Sequence, residues 1–249
     1  DGRGPVGLVA ITHVPTNGGL VNPAEAIGRL TRAAGVPFLL DACQSIGQMP
    51  VDVEPIGCDL LSATGRKFLR APRGTGFLYA RRSLLDRADP GPLEPAFLDL
   101  LGAEWVAPHR YDVRSDARRF ENWESNAAAQ AGLREAVAYA RSWGLDAIAR
   151  RVTTVAGELR GRLAEVPGVV VRDRGLRRCG IVTFTREGTD AEAVRRTLAG
   201  QKINVSVSSP SSTLLDAELR RLPPLVRASV HYLTTDAELD RLTAAVAGL

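Results

Sequence analysis

A single lysine, Lys67, follows a short apolar run, Asp59-Leu60-Leu61-Ser62-Ala63, through the polar turn Thr64-Gly65-Arg66. The run reads as a buried strand, and ligands in open α/β sheets bind just outside the carboxyl ends of strands. At such an edge a lysine amine becomes nucleophilic towards a carbonyl once its pKa is depressed. Thr64 and Arg66 can donate hydrogen bonds to an anion, and Gly65 lets the backbone pass close to a ligand. The set suits a phosphate and a carbonyl together. Upstream, Val36-Pro37-Phe38-Leu39-Leu40 reads as a second strand ending in Asp41-Ala42-Cys43-Gln44-Ser45, so a carboxylate and an amide sit at another carboxyl edge. A carboxylate there can pair with a cationic ring nitrogen. Each group also has a plainer reading. Lys67 taken alone is a solvated lysine, Asp41 a helix N-cap, and Gly74-Thr75-Gly76 a hairpin turn supporting the lysine loop rather than a phosphate loop. His13 and His231, in strand-like or strand-end settings, read as structural histidines.

The elements that must position these groups alternate between strand and helix as far as about Arg119. Val6 to Thr12 is expected as a strand and Pro23 to Ala34 as a helix, followed by the strands at Val36, Asp59 and Gly76. Asp89-Pro90-Gly91-Pro92-Leu93-Glu94-Pro95 is a proline-rich loop. The segment after it carries Trp105, His109, Tyr111 and Trp123 in a charged, irregular setting of the kind that lines entrances. From Asn126 the pattern changes. A helix to Trp143 and another from Leu145 to Leu163 lead into strands at Gly168 to Arg172 and Gly180 to Thr185. A helix from Asp190 to Leu198, strands near Ile203 to Ser208 and Val226 to Val230, and an amphipathic helix from Asp236 to Val246 complete an α+β tail.

Of the 249 residues 45% are hydrophobic, which is enough to bury a sizeable core in one large or two modest domains. The net charge of +4 comes from arginines scattered along helices, as at Arg134, Arg141, Arg150, Arg151, Arg160 and Arg162. Scattered charge reads as solvated helix faces, not as a nucleic-acid surface. Cys43, Cys58 and Cys179 lie in or beside apolar segments without metal-ligand spacing, so no metal is expected. Reduced thiols in a cytoplasmic protein follow. No apolar run is long enough to span a bilayer, so no membrane partner is expected.

The stretch DACQSIGQMPVDVEPIGCDLLSATGRKFLRAPRGTGFLY resembles the signature region of the class V aminotransferase and cysteine desulfurase family, which are fold type I pyridoxal phosphate enzymes. An Asp-x-x-Gln strand end, an Asp-hydrophobic-hydrophobic strand, a Gly-Arg-Lys turn and a Gly-Thr-Gly hairpin fall in order within it. The resemblance continues from VAITHVPTNGGLVNP to LVRASVHYLTTDAELDRL. It implies an α/β fold: a partial large domain with a mostly parallel sheet over 1–125, then a connecting helix and an α+β small domain over 126–249. It also implies that an N-terminal part of the large domain lies outside this chain, and that the enzyme is a homodimer.

For the site, the resemblance implies that Lys67 forms the Schiff base with pyridoxal 5'-phosphate and Asp41 pairs with the pyridine nitrogen. Gln44 bonds the phenolic oxygen, and Thr64 and Arg66 reach the phosphate. Arg227 clamps the substrate's α-carboxylate, a task suited to its planar, permanently charged fork. Taken alone, Arg227 could instead pair with a neighbouring carboxylate. Thr16, where desulfurases often carry an asparagine facing the cofactor, and Asn17 beside it are expected to contact cofactor or substrate.

Two departures narrow the chemistry. Desulfurases carry a mobile loop cysteine that accepts sulfur, whereas the matching stretch Asn204-Val205-Ser206-Val207-Ser208-Ser209-Pro210-Ser211 has serines, which argues against persulfide chemistry. Cys179 is expected to be structural. In Phe120-Glu121-Asn122-Trp123-Glu124-Ser125-Asn126, Trp123 and Glu124 replace a glycine-threonine pair whose hydroxyl reaches the neighbouring subunit's phosphate in many relatives. The expected activity is transamination of an amino acid. The alternatives are a carbon-sulfur lyase like those of the ergothioneine pathway, an epimerase like that of isopenicillin N, and, outside enzymology, an inactive remnant.

Overall fold

The computed structural model describes residues 4–87 and 93–249. Of the proline-rich loop foreseen at 89–95, residues 89–92 therefore lie outside the description. The chain divides into two compact units, one comprising 4–12, 23–43 and 51–138, the other 13–22, 44–50 and 139–249.

In the first unit β1 (Val9–Thr12), β2 (Phe38–Asp41) and β3 (Leu60–Thr64) pair in parallel, and β4 (Gly76–Ala80) closes the sheet antiparallel to β3. In this register Thr12 is level with Asp41, and Asp41 with Ser62. Phe38, Leu40, Leu61 and Ala63 are buried and the residues between them only half-buried, so each strand commits one face to the core. Helix α1 (Ala24–Ala33) approaches the short helix α2 (Val53–Ile56) so closely that a Cβ on Gly28 would lie 1.8 Å from the Ile56 carbonyl oxygen. After β4 come the short helix α3 (Arg82–Leu85), the hairpin β5 (Ala103–Ala107) and β6 (Arg110–Val113), and a 3-10 turn at Ala117–Phe120. The hairpin departs from the irregular segment expected here. Its strands are almost wholly exposed and include a Trp105–Tyr111 cross-strand pair, so no buried face imposed a readable alternation.

Helix α4 (Ala127–Trp143) counts with the first unit as far as Ala138. In the second unit an antiparallel sheet has the order β7 (Val169–Val171), β8 (Ile181–Arg186), β10 (Leu225–Ser229) and β9 (Ser206–Ser208). Helices α5 (Leu145–Glu165), α6 (Ala191–Gly200) and α8 (Asp236–Ala247) pack on it. Ile148, Val152, Val155, Leu159 and Leu163 form the buried stripe of α5, at the three-and-four spacing that puts side chains on one helix face. Val155, Leu159 and Leu163 join Phe184, Val194, Leu198, Val226, Leu239 and Val246 in one core. The α6 and α8 boundaries follow from caps. Asp190 accepts from the Glu192 and Ala193 N–H groups, and Thr235 with Glu238 forms a capping box. A 3-10 turn at Pro210–Thr213 and helix α7 (Leu214–Arg220), both unforeseen, fill the connection from β9 to β10.

The β3–β4 connection is fixed by backbone bonds. The Gly65 N–H donates to the Thr75 carbonyl and the Ala71 N–H to the Gly65 carbonyl, each at 2.9 Å. Gly74 takes φ 84°, and a Cβ on Gly76 would stand 2.3 Å from the Ala63 carbonyl oxygen. Replacing Gly76 by alanine is therefore expected to cost about 1–3 kcal/mol through that clash, and alanine at Gly74, where space is open but φ is positive, about 1–2 kcal/mol from backbone strain alone, each measured by denaturant unfolding.

Candidate active site

In the first unit the expected site residues gather at the carboxyl ends of β2 and β3. Asp41, the last residue of β2, is held at both oxygens: the Thr12 hydroxyl donates to Oδ2 at 3.4 Å and the Cys43 N–H to Oδ1 at 2.9 Å. The second bond ties the carboxylate to its own chain two residues on, which stops it from rotating. Lys67 is half-buried in the turn after β3, and its carbonyl accepts from the Arg70 N–H at 2.9 Å. Thr64 directs its hydroxyl to the Thr75 carbonyl at 3.4 Å, and Arg66 is exposed. Gly65 has no room for a side chain, since a Cβ there would lie 2.4 Å from the Thr75 hydroxyl.

The half-buried Cys43 thiol, which sequence reasoning treated only as reduced, reports on this cluster. Burial raises its pKa most, a hydrogen bond with the Asp41 side chain and the Asp41 charge raise it further, and the Lys67 charge and a Thr64 backbone hydrogen bond oppose them. Aspartate, lysine and the end of β3 thus act on one sulfur. One amine, one fixed carboxylate and nearby hydroxyl and guanidinium donors fit a ligand with an aldehyde, a basic ring nitrogen and a phosphate. Among the described residues no cluster of His, Cys, Asp and Glu could hold a metal ion. The Trp123 segment, singled out as a departure, lines a separate cleft of about 1050 Å³ with Arg73, Phe77, Arg118 and Asn126.

The second unit carries the other expected residues. Arg227 lies on β10, opposite Thr183 of β8 and Ser206 of β9. Its Nη1 donates to the Thr16 hydroxyl at 2.7 Å and to the Thr16 carbonyl at 3.3 Å, while its buried Nε has no partner. Arg227 is therefore not spent on a neighbouring carboxylate, and Thr16 acts on it directly, a pairing the sequence did not reveal. Burial lowers the Arg227 pKa from an ordinary value so high that the guanidinium stays charged.

The 13–22 segment reaches Arg227 because it is pinned along its length. The Arg174 N–H donates to the Gly18 carbonyl and the Cys179 N–H to the Gly19 carbonyl, each at 2.8 Å. Gly19 has φ 61°, and a Cβ on it would stand 2.8 Å from the Ile181 carbonyl oxygen and 2.9 Å from the Arg160 guanidinium. Beneath it Arg160 and Asp173 form a buried ion pair at 2.6 Å. Arg160 also donates to the carbonyls of Cys179 and Ile181, and Asp173 accepts from the Thr183 N–H and hydroxyl.

Gln44 is buried, and its carbonyl accepts from Gln48 Nε2, while Gln48 Oε1 accepts from the Gly180 N–H at 2.9 Å. Gln48, 1% exposed, is a structural anchor that sequence reasoning passed over. Its signal was a second glutamine four residues on in a stretch otherwise apolar or small. Cys179 is buried with its pKa pushed up to about 11 by burial, as a structural thiol would be. The 204–211 stretch forms β9 and the start of the 3-10 turn.

Residues 4–242 match the family model described as Aminotransferase class-V. The chain is 31% identical over 244 residues to a protein named "Probable cysteine desulfurase" from Xylella fastidiosa, spanning 97% of this chain and 56% of that protein. It is similar in structure to an apo cysteine desulfurase from Thermococcus onnurineus, with TM-score 0.89, 26% identity, and 98% of this chain against 60% of that one covered. It is also similar to the cystine C–S lyase C-DES in complex with its product cysteine persulfide, with TM-score 0.81, 25% identity, and 96% and 60% covered. A lysine-to-alanine mutant of C-DES, at 24% identity and the same TM-score of 0.81, has glycine covalently linked to its PLP cofactor. The chain thus spans a little over half the length of the relatives that it matches.

The charges around Cys43 set the sign of a test. Asp41→Asn removes both Asp41 effects that raise the thiol pKa, so alkylation of native protein by iodoacetamide at pH 8 is expected to speed up. Lys67→Ala removes a charge that lowers it, so alkylation is expected to slow. Cys58, with its pKa pushed up to about 11 chiefly by burial, and Cys179 are expected to stay unmodified until unfolding.

Proposed function

The chain belongs to the class-V aminotransferase family, and from that premise we propose that it serves a pyridoxal-phosphate-dependent enzyme acting on an amino acid. When bound, pyridoxal phosphate supplies an electron sink for negative charge developing at the substrate's α-carbon. Lys67, in the turn after the strand next to that of Asp41, would hold the cofactor's aldehyde carbon. Its Nζ would also be the base that removes and returns the α-carbon proton. Asp41 keeps its charge on the ring nitrogen because Thr12 and Cys43 hold its two oxygens. Gln44 takes the phenolic oxygen, and Thr64 and Arg66 the phosphate. Arg227 takes the α-carboxylate, oriented by Thr16. What carries the reading is the placement of Asp41 and Lys67 at the carboxyl ends of the adjacent parallel strands β2 and β3, in a chain whose residues 4–242 match the family model.

Within that chemistry transamination is the first reading. A carbon-sulfur lyase is the second, favoured by the likeness to C-DES together with a 204–211 stretch that holds no cysteine to receive sulfur. A keto acid with the amine form of the cofactor marks the first, and pyruvate with a free sulfur product marks the second. The reading includes a homodimer, to be checked by sedimentation against the 26.7 kDa chain mass. It also includes a reducing, cytoplasmic setting, supported by the three free cysteines.

Adding pyridoxal phosphate to the purified chain is expected to produce a visible absorption band that Lys67→Ala abolishes. A band surviving in that variant would refute Lys67 as the attachment point, and no band in either would favour the inactive remnant. In the active enzyme Arg227→Lys is expected to raise KM about 10- to 100-fold with a smaller change in kcat, because one bidentate, charge-assisted contact is lost.

A further inference from the structure

Among the described residues of the second unit, two of the buried polar atoms that lack a hydrogen-bond partner stand near each other in the fold and are of opposite kind. Arg227 Nε is a donor and Asn17 Oδ1 an acceptor. Asn17 is 8% exposed; its Nδ2 donates to the Thr213 hydroxyl at 3.1 Å, and Oδ1 is the amide end without a donor. The two atoms belong to neighbouring parts of one arrangement. Thr16 receives Arg227 Nη1, and Asn17 is the next residue in the same turn, which Gly18 and Gly19 complete at φ 76° and 61°. Packing alone does not account for Asn17. An apolar side chain would occupy the position without stranding an acceptor, and burying an acceptor with nothing to accept is costly.

Arg227 is read above as the partner of an α-carboxylate, and a carboxylate supplies the acceptor that Nε needs. Resting on that reading, we propose that the substrate also carries a hydrogen-bond donor in its side chain, an amide N–H or a hydroxyl, and that Asn17 Oδ1 accepts it. Thr213, on the connection between β9 and β10, takes the Nδ2 end of the amide and leaves Oδ1 for the ligand. The arrangement selects against side chains that only accept. A side-chain carboxylate would set two acceptors face to face, and an aliphatic side chain would leave Oδ1 unpaired.

The test is calorimetric binding of three amino-acid pairs to the full chain in the presence of pyridoxal phosphate: glutamine against glutamate, asparagine against aspartate, and serine against alanine. The donor-bearing member of at least one pair is expected to bind about tenfold tighter or more. That preference should vanish in Asn17→Leu and persist in Asn17→Asp, whose carboxylate accepts from both Thr213 and the ligand. Arg227→Ala should weaken both members of every pair alike. If Arg227→Ala weakens binding but wild type binds the members of each pair equally, or if Asn17→Leu keeps the preference, the inference fails while the carboxylate reading stands. If no amino acid binds, or Arg227→Ala leaves the affinities unchanged, the carboxylate reading fails and takes the inference with it. The wild-type comparison decides the matter even where a variant does not fold.

Discussion

Parallel pairing of β1, β2 and β3 is the constraint on which the first unit's chemistry depends. Parallel strands bring all their carboxyl ends to one edge, and the register sets Thr12 beside Asp41. Asp41 therefore finds a hydroxyl across the sheet and an N–H along its own chain, and the first of these bonds would not survive a one-residue slip. The antiparallel return of β4 then forces a tight connection after β3. Gly65 and Gly76 admit no side chain there, and Lys67 is carried in that connection.

The second unit solves a different problem, which is to hold a charged guanidinium half-buried without consuming it. Arg160 and Asp173 show the contrary case. There the charges neutralise each other and every remaining contact goes to backbone or to Thr183, so the pair is inert. A buried pair so fully satisfied stabilises little relative to apolar packing, but losing either partner would strand a charge. Arg227 has instead a neutral hydroxyl and a carbonyl for partners, which orient it and leave its charge and Nε for a ligand. The two arginines are linked through Gly19, whose missing side chain lets the 13–22 segment rest on the first while offering Thr16 to the second.

Much of this was legible in the chain itself. The α5 stripe, the α6 and α8 caps, and the strands ending at Thr12, Asp41 and Thr64 follow from periodicity and punctuation, and the observed bounds differ from the expected ones mainly at the ends. The β5–β6 hairpin was not legible because neither strand buries a continuous face, and α7 was not because its exposed leucines, Leu215 and Leu219, leave only Ala217 facing inward. For the candidate site, residue types and local spacing pointed to Lys67 and Asp41, and the family resemblance to Arg227. Spacing along the chain could not give the partners of those residues. Thr16 and Arg227 stand 211 positions apart, and Gln48 and Gly180 stand 132 apart.

Those separations also order the assembly of the molecule as it is synthesised. Residues 13–22 and 44–50 leave the ribosome before the residues that hold them, which run from Arg160 to Arg227. Until those residues emerge Gly19, Asn17 and Gln48 lack the partners that pin them, while β1, β2, β3 and β4 already have one another. The lysine-bearing sheet can form first, and Arg227 meets its orienting Thr16 only when β10 has emerged.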